Sequence, residues 1–303
     1  MGKLLKWIGI SIGALVVLLL VAVGVVYSVS TSRMEQKFNV TVKAPPIPSN
    51  AAALKEGQRL FISRGCVDCH GNNLAGKVFV DDPLAGTVSG ANLTKGKGGI
   101  GGTFTDADFV RAIRHGVAPD GRALIFMPST DYYSMSDADI GAIIAYVRSV
   151  PAVDRPSLAP RIGPMARLLY LQGQMPFLVS AQVIDHSTKP STAAPAATIE
   201  YGRYLGAMCT GCHGFGYSGG SIPGAPPQWA PAANITPHPV AGIGKWSETD
   251  FAKALREAIR PDGKKLREPM ATMSENARQM TDTEVKALWM FLRTVPAKET
   301  GGR

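Results

Sequence analysis

Cysteine is scarce in this 303-residue chain, with four copies, and histidine has five. Four cysteines exclude a disulfide-dense scaffold. Charge is sparse as well, at 18% of residues, and the net +9 is spread out. Residues 1–52 carry +4, residues 53–150 are balanced, residues 151–199 carry +2 and residues 200–303 carry +3. No basic stripe tracks a phosphate backbone, so nucleic acid is set aside as a partner. No run reads as a strand, which predicts an all-α fold. A hydrophobic content of 45% excludes a disordered chain. Glycine (33) and proline (22) are plentiful, so long irregular loops should join the helices.

One apolar run is long. Trp7 to Val29 holds 23 residues without a charge, preceded by Lys3 and Lys6. About 20 apolar residues span a bilayer. The leading lysines keep that end in the cytoplasm. Residues 1–30 thus read as a transmembrane anchor, and the rest of the chain as periplasmic or extracytoplasmic. A cleaved signal peptide is the alternative, although the run exceeds an ordinary h-region and no A-x-A site follows. Residues 31–52 are polar and proline-bearing and read as a tether. The stretch Met165–Val183 is largely apolar. It holds Arg167, Gly173 and Pro176, which make it a poor span. A short helix within the linker 151–198 is expected there, packing on one or both domains or lying on the membrane surface.

All four cysteines fall in two pairs, Cys66-Val-Asp-Cys69-His70 and Cys209-Thr-Gly-Cys212-His213. C-x-x-C-H is the haem c attachment signature. Two thiols add to the haem vinyl groups as thioethers, and the adjacent histidine supplies the proximal nitrogen to iron. A redox pair, half a zinc site or a disulfide are the competing readings. Two copies that consume every cysteine, each followed by histidine, favour two covalently bound haem c groups.

The flanks repeat as well. Ala91-Asn92-Leu93-Thr94 recurs as Ala233-Asn234-Ile235-Thr236, and Gly99-Ile100-Gly101 as Gly242-Ile243-Gly244. Phe104…Phe109 recurs as Trp246…Phe251, Pro119-Asp120-Gly121 as Pro261-Asp262-Gly263, and Met135-Ser136-Asp137 as Met280-Thr281-Asp282. One domain is used twice, at 53–150 and 199–303. Each copy predicts a leading helix (53–64, 199–207), a middle helix (106–115, 248–260) and a last helix (137–150, 282–295). Thr105, Ser247, Ser136 and Thr281 stand as N-caps. Ile140, Ile143, Ile144 and Val147 mark one buried face.

This order resembles class I cytochrome c. In detail the pattern is similar to the cytochrome c subunits of membrane-bound alcohol and aldehyde dehydrogenases and related respiratory di-haem cytochromes. The resemblance covers residues 53–150 and 199–297 and implies helices wrapped around each haem. It implies His70 and His213 as proximal ligands and a methionine as the sixth. Met127, followed by Pro128, matches the family's position in the first domain. In the second, Met270 fits when counted from Pro-Asp-Gly, and Met273 when counted from the last helix. His115, His186 and His238 are the remaining candidates, for bis-histidine ligation.

In that family a proline carbonyl a dozen residues on orients the proximal histidine. Pro83 and Pro226, each 13 residues after its histidine, are the expected acceptors. Trp246, Asn92, Asn234 and Arg122 are candidate donors to haem propionates. With iron saturated by histidine and methionine, the expected function is single-electron transfer and not catalysis. The expected partners are a dehydrogenase, a quinol-oxidising complex or a terminal oxidase, met transiently or in a permanent complex. A di-haem peroxidase and a gas sensor are the rivals.

Overall fold

Glycine decides how each repeat closes. In the computed structural model, which describes residues 2–226 and 228–302, the first and last helices of each domain cross at a glycine. The elements run α1 (Gly2–Met34), α2 (Ala51–Ser63), α3 (Cys66–His70), β1 (Val78–Asp82), β2 (Gly86–Ser89), α4 (Asp106–His115), α5 (Asp137–Ser149), β3 (Arg161–Ile162) and α6 (Pro164–Leu171). They continue with α7 (Ile199–Gly206), α8 (Thr210–His213), α9 (Glu248–Glu257), α10 (Met270–Ala277) and α11 (Asp282–Leu292). In the first domain a Cβ on Gly57 of α2 would stand 2.0 Å from the Ala142 carbonyl oxygen of α5. In the second, a Cβ on Gly202 of α7 would stand 1.9 Å from that of Ala287 in α11. Backbone meets backbone at both crossings. Phe61 meets Tyr146 edge to face across the first crossing, and Tyr217, from the loop after α8, meets Phe291 of α11 in the same way.

The helix starts agree with the caps read from the sequence. Thr105–Asp108, Ser247–Asp250 and Thr281–Glu284 are reciprocal capping boxes, and Ser136 accepts from the Asp139 N–H. A second repeated device ties the middle helix to the last one. Arg114 donates to the Met135 carbonyl at 2.6 Å and to Asp137 at 2.7 Å. Arg256 does the same to Met280 at 2.6 Å and Asp282 at 2.7 Å.

Three expectations need correction. The molecule is mostly helical but includes a small antiparallel sheet of order β1-β2-β3. Val78-Phe-Val-Asp-Asp is rich in β-formers, and Asp82 accepts from Leu84 N and Ala85 N to fold the hairpin turn. The segment expected as a tether also packs against the first domain. Phe38 N donates to the Gly121 carbonyl, Arg111 donates to that of Val40, and Val42 and Ile47 pack on the core. The second domain carries a helix, α10, beyond the three predicted for each copy. The linker does form its expected short helix, α6, followed by a 3₁₀ turn at Pro176–Gln182. A third apolar cluster forms there. Met34 from the foot of α1, Val88 and Ile162 from the sheet, and Ala166, Tyr170 and Leu178 from the linker build it.

The two domains meet over a buried ionic seam. Glu284 of α11 accepts from Arg59 at 2.6 Å and from Arg64 at 2.8 Å, and the Arg64 and Glu284 side chains are 1% and 2% exposed. Burial opposes the carboxylate charge, yet the two arginines outweigh it and hold Glu284 below the usual glutamate range. Around this pair, Tyr204 donates to Asp139 at 2.7 Å, Tyr132 donates to the Arg64 carbonyl, and Tyr204 and Met208 pack into the first domain's core.

Three outcomes follow from this packing. Gly57→Ala or Gly202→Ala must push a helix pair apart, with an expected loss of about 1–3 kcal/mol, measurable by denaturant unfolding. Glu284→Gln leaves two arginines facing a lost anion. Breaking a buried pair costs about 3–5 kcal/mol, and proteolysis should then separate the two domains before either is digested. His115 is buried against His186, Nδ1 to Nδ1 at 3.1 Å. Burial, then His186, then Arg114 push its pKa from 6.5 down to about 4. The folded state disfavours the proton, so this contribution is present above pH 6.5 and is lost as pH falls towards 4. The melting temperature should drop more steeply over that window than in His115→Gln. Equal slopes would remove His115 from the account.

Candidate functional site

Both C-x-x-C-H segments form a single helical turn. α3 spans the first motif, and α8, led by a 3₁₀ turn at Ala207–Cys209, spans the second. Each turn ends abruptly on the glycine after histidine. Gly71 has φ 74° and ψ 166°, and Gly214 has φ 75° and ψ 162°. That region is essentially open to glycine alone. It turns the chain away so that the histidine stands at the end of its helix. The repeated His-Gly dipeptide was a visible signal that the motif reading did not use.

The histidine rings are held by one device repeated. His70 Nδ1 lies 2.9 Å from the Ala91 carbonyl oxygen, and His213 Nδ1 lies 2.7 Å from that of Ala233. A carbonyl acceptor requires the proton on Nδ1 and so leaves the lone pair on Nε2. Burial lowers the His70 pKa, which keeps that ring neutral. The expected acceptors Pro83 and Pro226 are therefore corrected. The β1–β2 hairpin intervenes between His70 and the Asn-Leu-Thr motif and carries Pro83 out to its turn. The Pro226 carbonyl instead accepts from Trp229 N. The residue before each Asn-x-Thr, and not the one at a fixed count from histidine, orients the ring.

Asn92 and Asn234 are likewise corrected as propionate donors, because their amides are committed elsewhere. Asn92 is fully buried, donates to the Val153 and Arg155 carbonyls, and accepts from both the N–H and the hydroxyl of Thr94. Asn234 donates to the Lys298 carbonyl and accepts from Thr236 in the same two ways. They pin the segment that follows each last helix across the loop bearing the histidine's acceptor. Arg122 faces Asp120 at 3.6 Å and lines a cleft at the foot of α1 together with Pro83. Trp246 packs against the second domain's core.

Met127 packs on the first domain's core, with its carbonyl accepting from Ser180 Oγ and Ser129 N. The second domain differs here for a definable reason. Leu124 N donates to the Gly116 carbonyl and Leu266 N to that of Ala258, so these positions correspond. Ser129 Oγ donates to the Ala112 carbonyl and Ser274 Oγ to that of Ala254, so these correspond too. Four residues separate the leucine and serine anchors in the first domain and seven in the second. The extra residues wind into α10, which begins at Met270 and includes Met273. The other histidines have partners of their own. His115 and His186 face each other, His186 Nε2 lies 3.0 Å from the Ala181 carbonyl, and His238 receives the Val240 and Ala241 N–H groups and meets Glu299.

The four cysteines form no disulfide. Burial pushes the Cys66, Cys69 and Cys209 thiols up to about 12, the reverse of the thiolate that a redox pair needs. Two thiols and a tautomer-fixed imidazole on one turn fit haem c, which supplies reversible one-electron iron chemistry when bound. The two motifs also touch opposite domains. Asp68, inside the first, accepts from Asn276 of α10 at 2.7 Å. A side chain at Gly211, inside the second, would stand 3.3 Å from Asp131.

Comparison with known proteins agrees with this geometry. The family model described as cytochrome c matches residues 54–151 and again residues 199–296. The fructose dehydrogenase cytochrome subunit of Gluconobacter japonicus is 29% identical over 289 residues, covering 85% of this chain and 56% of that protein. The gluconate 2-dehydrogenase cytochrome c subunit of Pantoea cypripedii is 28% identical, covering 83% of this chain and 61% of that one. A diheme cytochrome c-type protein of Cereibacter sphaeroides is 27% identical, with 80% and 86% covered. The chain thus spans somewhat more than half the length of the dehydrogenase subunits it matches. Two family matches on two complete C-x-x-C-H sites place this chain in the cytochrome c family, as a member with two covalently bound haem c groups.

Proposed function

We propose that this protein is a membrane-anchored electron-transfer subunit. In this reading it takes single electrons from a dehydrogenase on the extracytoplasmic side and passes them through two haems to a membrane acceptor. The observation that carries the proposal is the contact of each haem-attachment motif with the opposite domain, across a seam closed by Glu284, Arg59 and Arg64. Two redox centres locked into one body suit relay better than independent shuttling. Relatives named as dehydrogenase cytochrome subunits support the choice of donor. A quinol-oxidising complex or a terminal oxidase is the class of partner at the other end.

The anchor lies in the apolar 33-residue helix Gly2–Met34, whose most apolar stretch is left unburied by the rest of the chain. The lysines at its start support a cytoplasmic N-terminus and haem domains on the opposite side.

The axial ligands in this reading are His70 with Met127 and His213 with Met270. Met270 is favoured over Met273 by its helix face. It lies between Ser274, which bonds α9, and Ala277, which is buried in the second domain's core. Met273 leans towards Asn276, which reaches across to the first domain. Thioether ligation raises the potential and closes the iron to exogenous ligands. Trp246 remains the proposed indole donor to a propionate of the second haem. Phe104, its counterpart, offers no such donor.

Redox titration of the full-length protein should resolve two one-electron waves, with the weak long-wavelength band of methionine-bound ferric haem and no spectral change when carbon monoxide meets the reduced form. Met127→Leu and Met270→Leu should each open one haem to carbon monoxide, while Met273→Leu should not. Carbon monoxide binding by the unmodified protein would remove the electron-carrier reading for the haem concerned. Opening by Met273→Leu alone would exchange the two methionines.

A further inference from the structure

The linker helix α6 is fastened to the anchor at one depth. Arg167 of α6 lies over the Tyr27 ring with its guanidinium carbon 4.5 Å from the ring centre. The same side chain donates to Ser30 Oγ at 2.7 Å and Thr31 Oγ1 at 2.9 Å. Ala166 and Tyr170 bury against Met34 in the cluster at the foot of α1. From Trp7 to Tyr27 an α-helix advances about 30 Å at 1.5 Å per residue, the thickness of a bilayer's hydrocarbon core. With Trp7 at the inner boundary, Tyr27 stands at the outer one, where tyrosine and tryptophan gather. α6 is then held at headgroup level.

What α6 shows to solvent fits that depth. Met165 and Leu168, one turn apart, are 46% and 41% exposed. Leu84 at the hairpin turn is 57% exposed, and its carbonyl accepts from Met165 N. These three large apolar side chains sit beside a cleft of about 790 Å³ between the foot of α1, the sheet and the linker. Arg122, Arg161 and Arg167 line it against Glu35 and Asp82. Arg167 is committed to α1. Arg161 reaches Thr87 Oγ1 only at 3.5 Å and Arg122 reaches Asp120 only at 3.6 Å, so either guanidinium can turn to a new anion.

We propose that α6 and the β1–β2 turn form a membrane-resting face, with Leu84, Met165 and Leu168 dipping into the outer leaflet and Arg122 and Arg161 meeting the phosphates of anionic phospholipids. The inference rests on the reading of α1 as a retained span. It commits the occupant of this face to lipid because the face continues directly from that span. Apolar side chains bearing on the acyl boundary and arginines on anionic headgroups are the two sources of interfacial binding.

The test uses the full-length holoprotein in nanodiscs of phosphatidylglycerol or phosphatidylcholine, with single nitroxide labels. Met165→Cys and Leu168→Cys report the face, Leu19→Cys reports the span, and Val240→Cys, at an 83% exposed site of the second domain, reports water. The ratio of oxygen to nickel-chelate accessibility should be several-fold higher at 165 and 168 than at 240, and higher on phosphatidylglycerol. The double variant Arg122→Glu, Arg161→Glu should abolish the lipid difference while leaving Leu19→Cys in the bilayer. Values at 165 and 168 equal to that at 240, with Leu19→Cys in the bilayer, overturn the inference alone. An equal ratio on both lipids removes the phosphate contact. A mature chain that lacks the label at 19 and stays in solution overturns the span and this inference together.

Discussion

A single carboxylate, Glu284, connects the parts of this molecule that the repeat alone would leave independent. Its oxygens close the capping box of α11 on Thr281 and at the same time accept from Arg59 and Arg64 of the other domain. Arg64 in turn holds Tyr132 through its carbonyl and lies two residues before Cys66. The seam thus runs from the last helix of one domain to the haem-attachment turn of the other. Isolated buried ion pairs are weak sources of stability, because desolvation offsets the attraction. Their attested use is to specify one arrangement among several, and here the arrangement specified is the relative placement of two redox centres.

The repeat makes the same local solutions twice, which shows which of them the fold requires. Arg114 and Arg256 clamp the entry to the last helix, Asn92 and Asn234 pin the segment after it, and Gly57 and Gly202 let the first helix touch it. Each acts on the last helix or its flank, the element farthest in sequence from the C-x-x-C-H turn. The histidine's acceptor carbonyl belongs to the residue before the pinned asparagine. Ring orientation is thereby tied to closure of the whole domain, and a loosened last helix should be felt at iron.

The attachment residues and the helices were legible in sequence because they rest on local rules. Cys-x-x-Cys-His needs one helical turn, a serine or threonine cap shows itself beside an acidic first turn, and the apolar spacing of α5 displays its buried face. The ring acceptors were not legible by counting from histidine, since a hairpin of strongly β-forming residues separates His70 from Ala91. The asparagines were misjudged for a related reason. Polar side chains in a loop look like donors to a ligand until their partners, 61 to 64 residues away, come into view. The seam was invisible because Arg59 and Arg64 close one helix while Glu284 sits on another, 220 residues or more along the chain.

The departures from the repeat carry the remaining information. Three extra residues between the Leu266 and Ser274 anchors produce α10. It sends Asn276 to Asp68 in the first attachment turn. The first domain answers with its own unshared parts, the hairpin and the linker that bind it to the foot of α1. One domain is therefore tied to α1 and the other to its neighbour. On the proposed reading, that arrangement would give the two haems different surroundings, one beside the anchor and one farther from it.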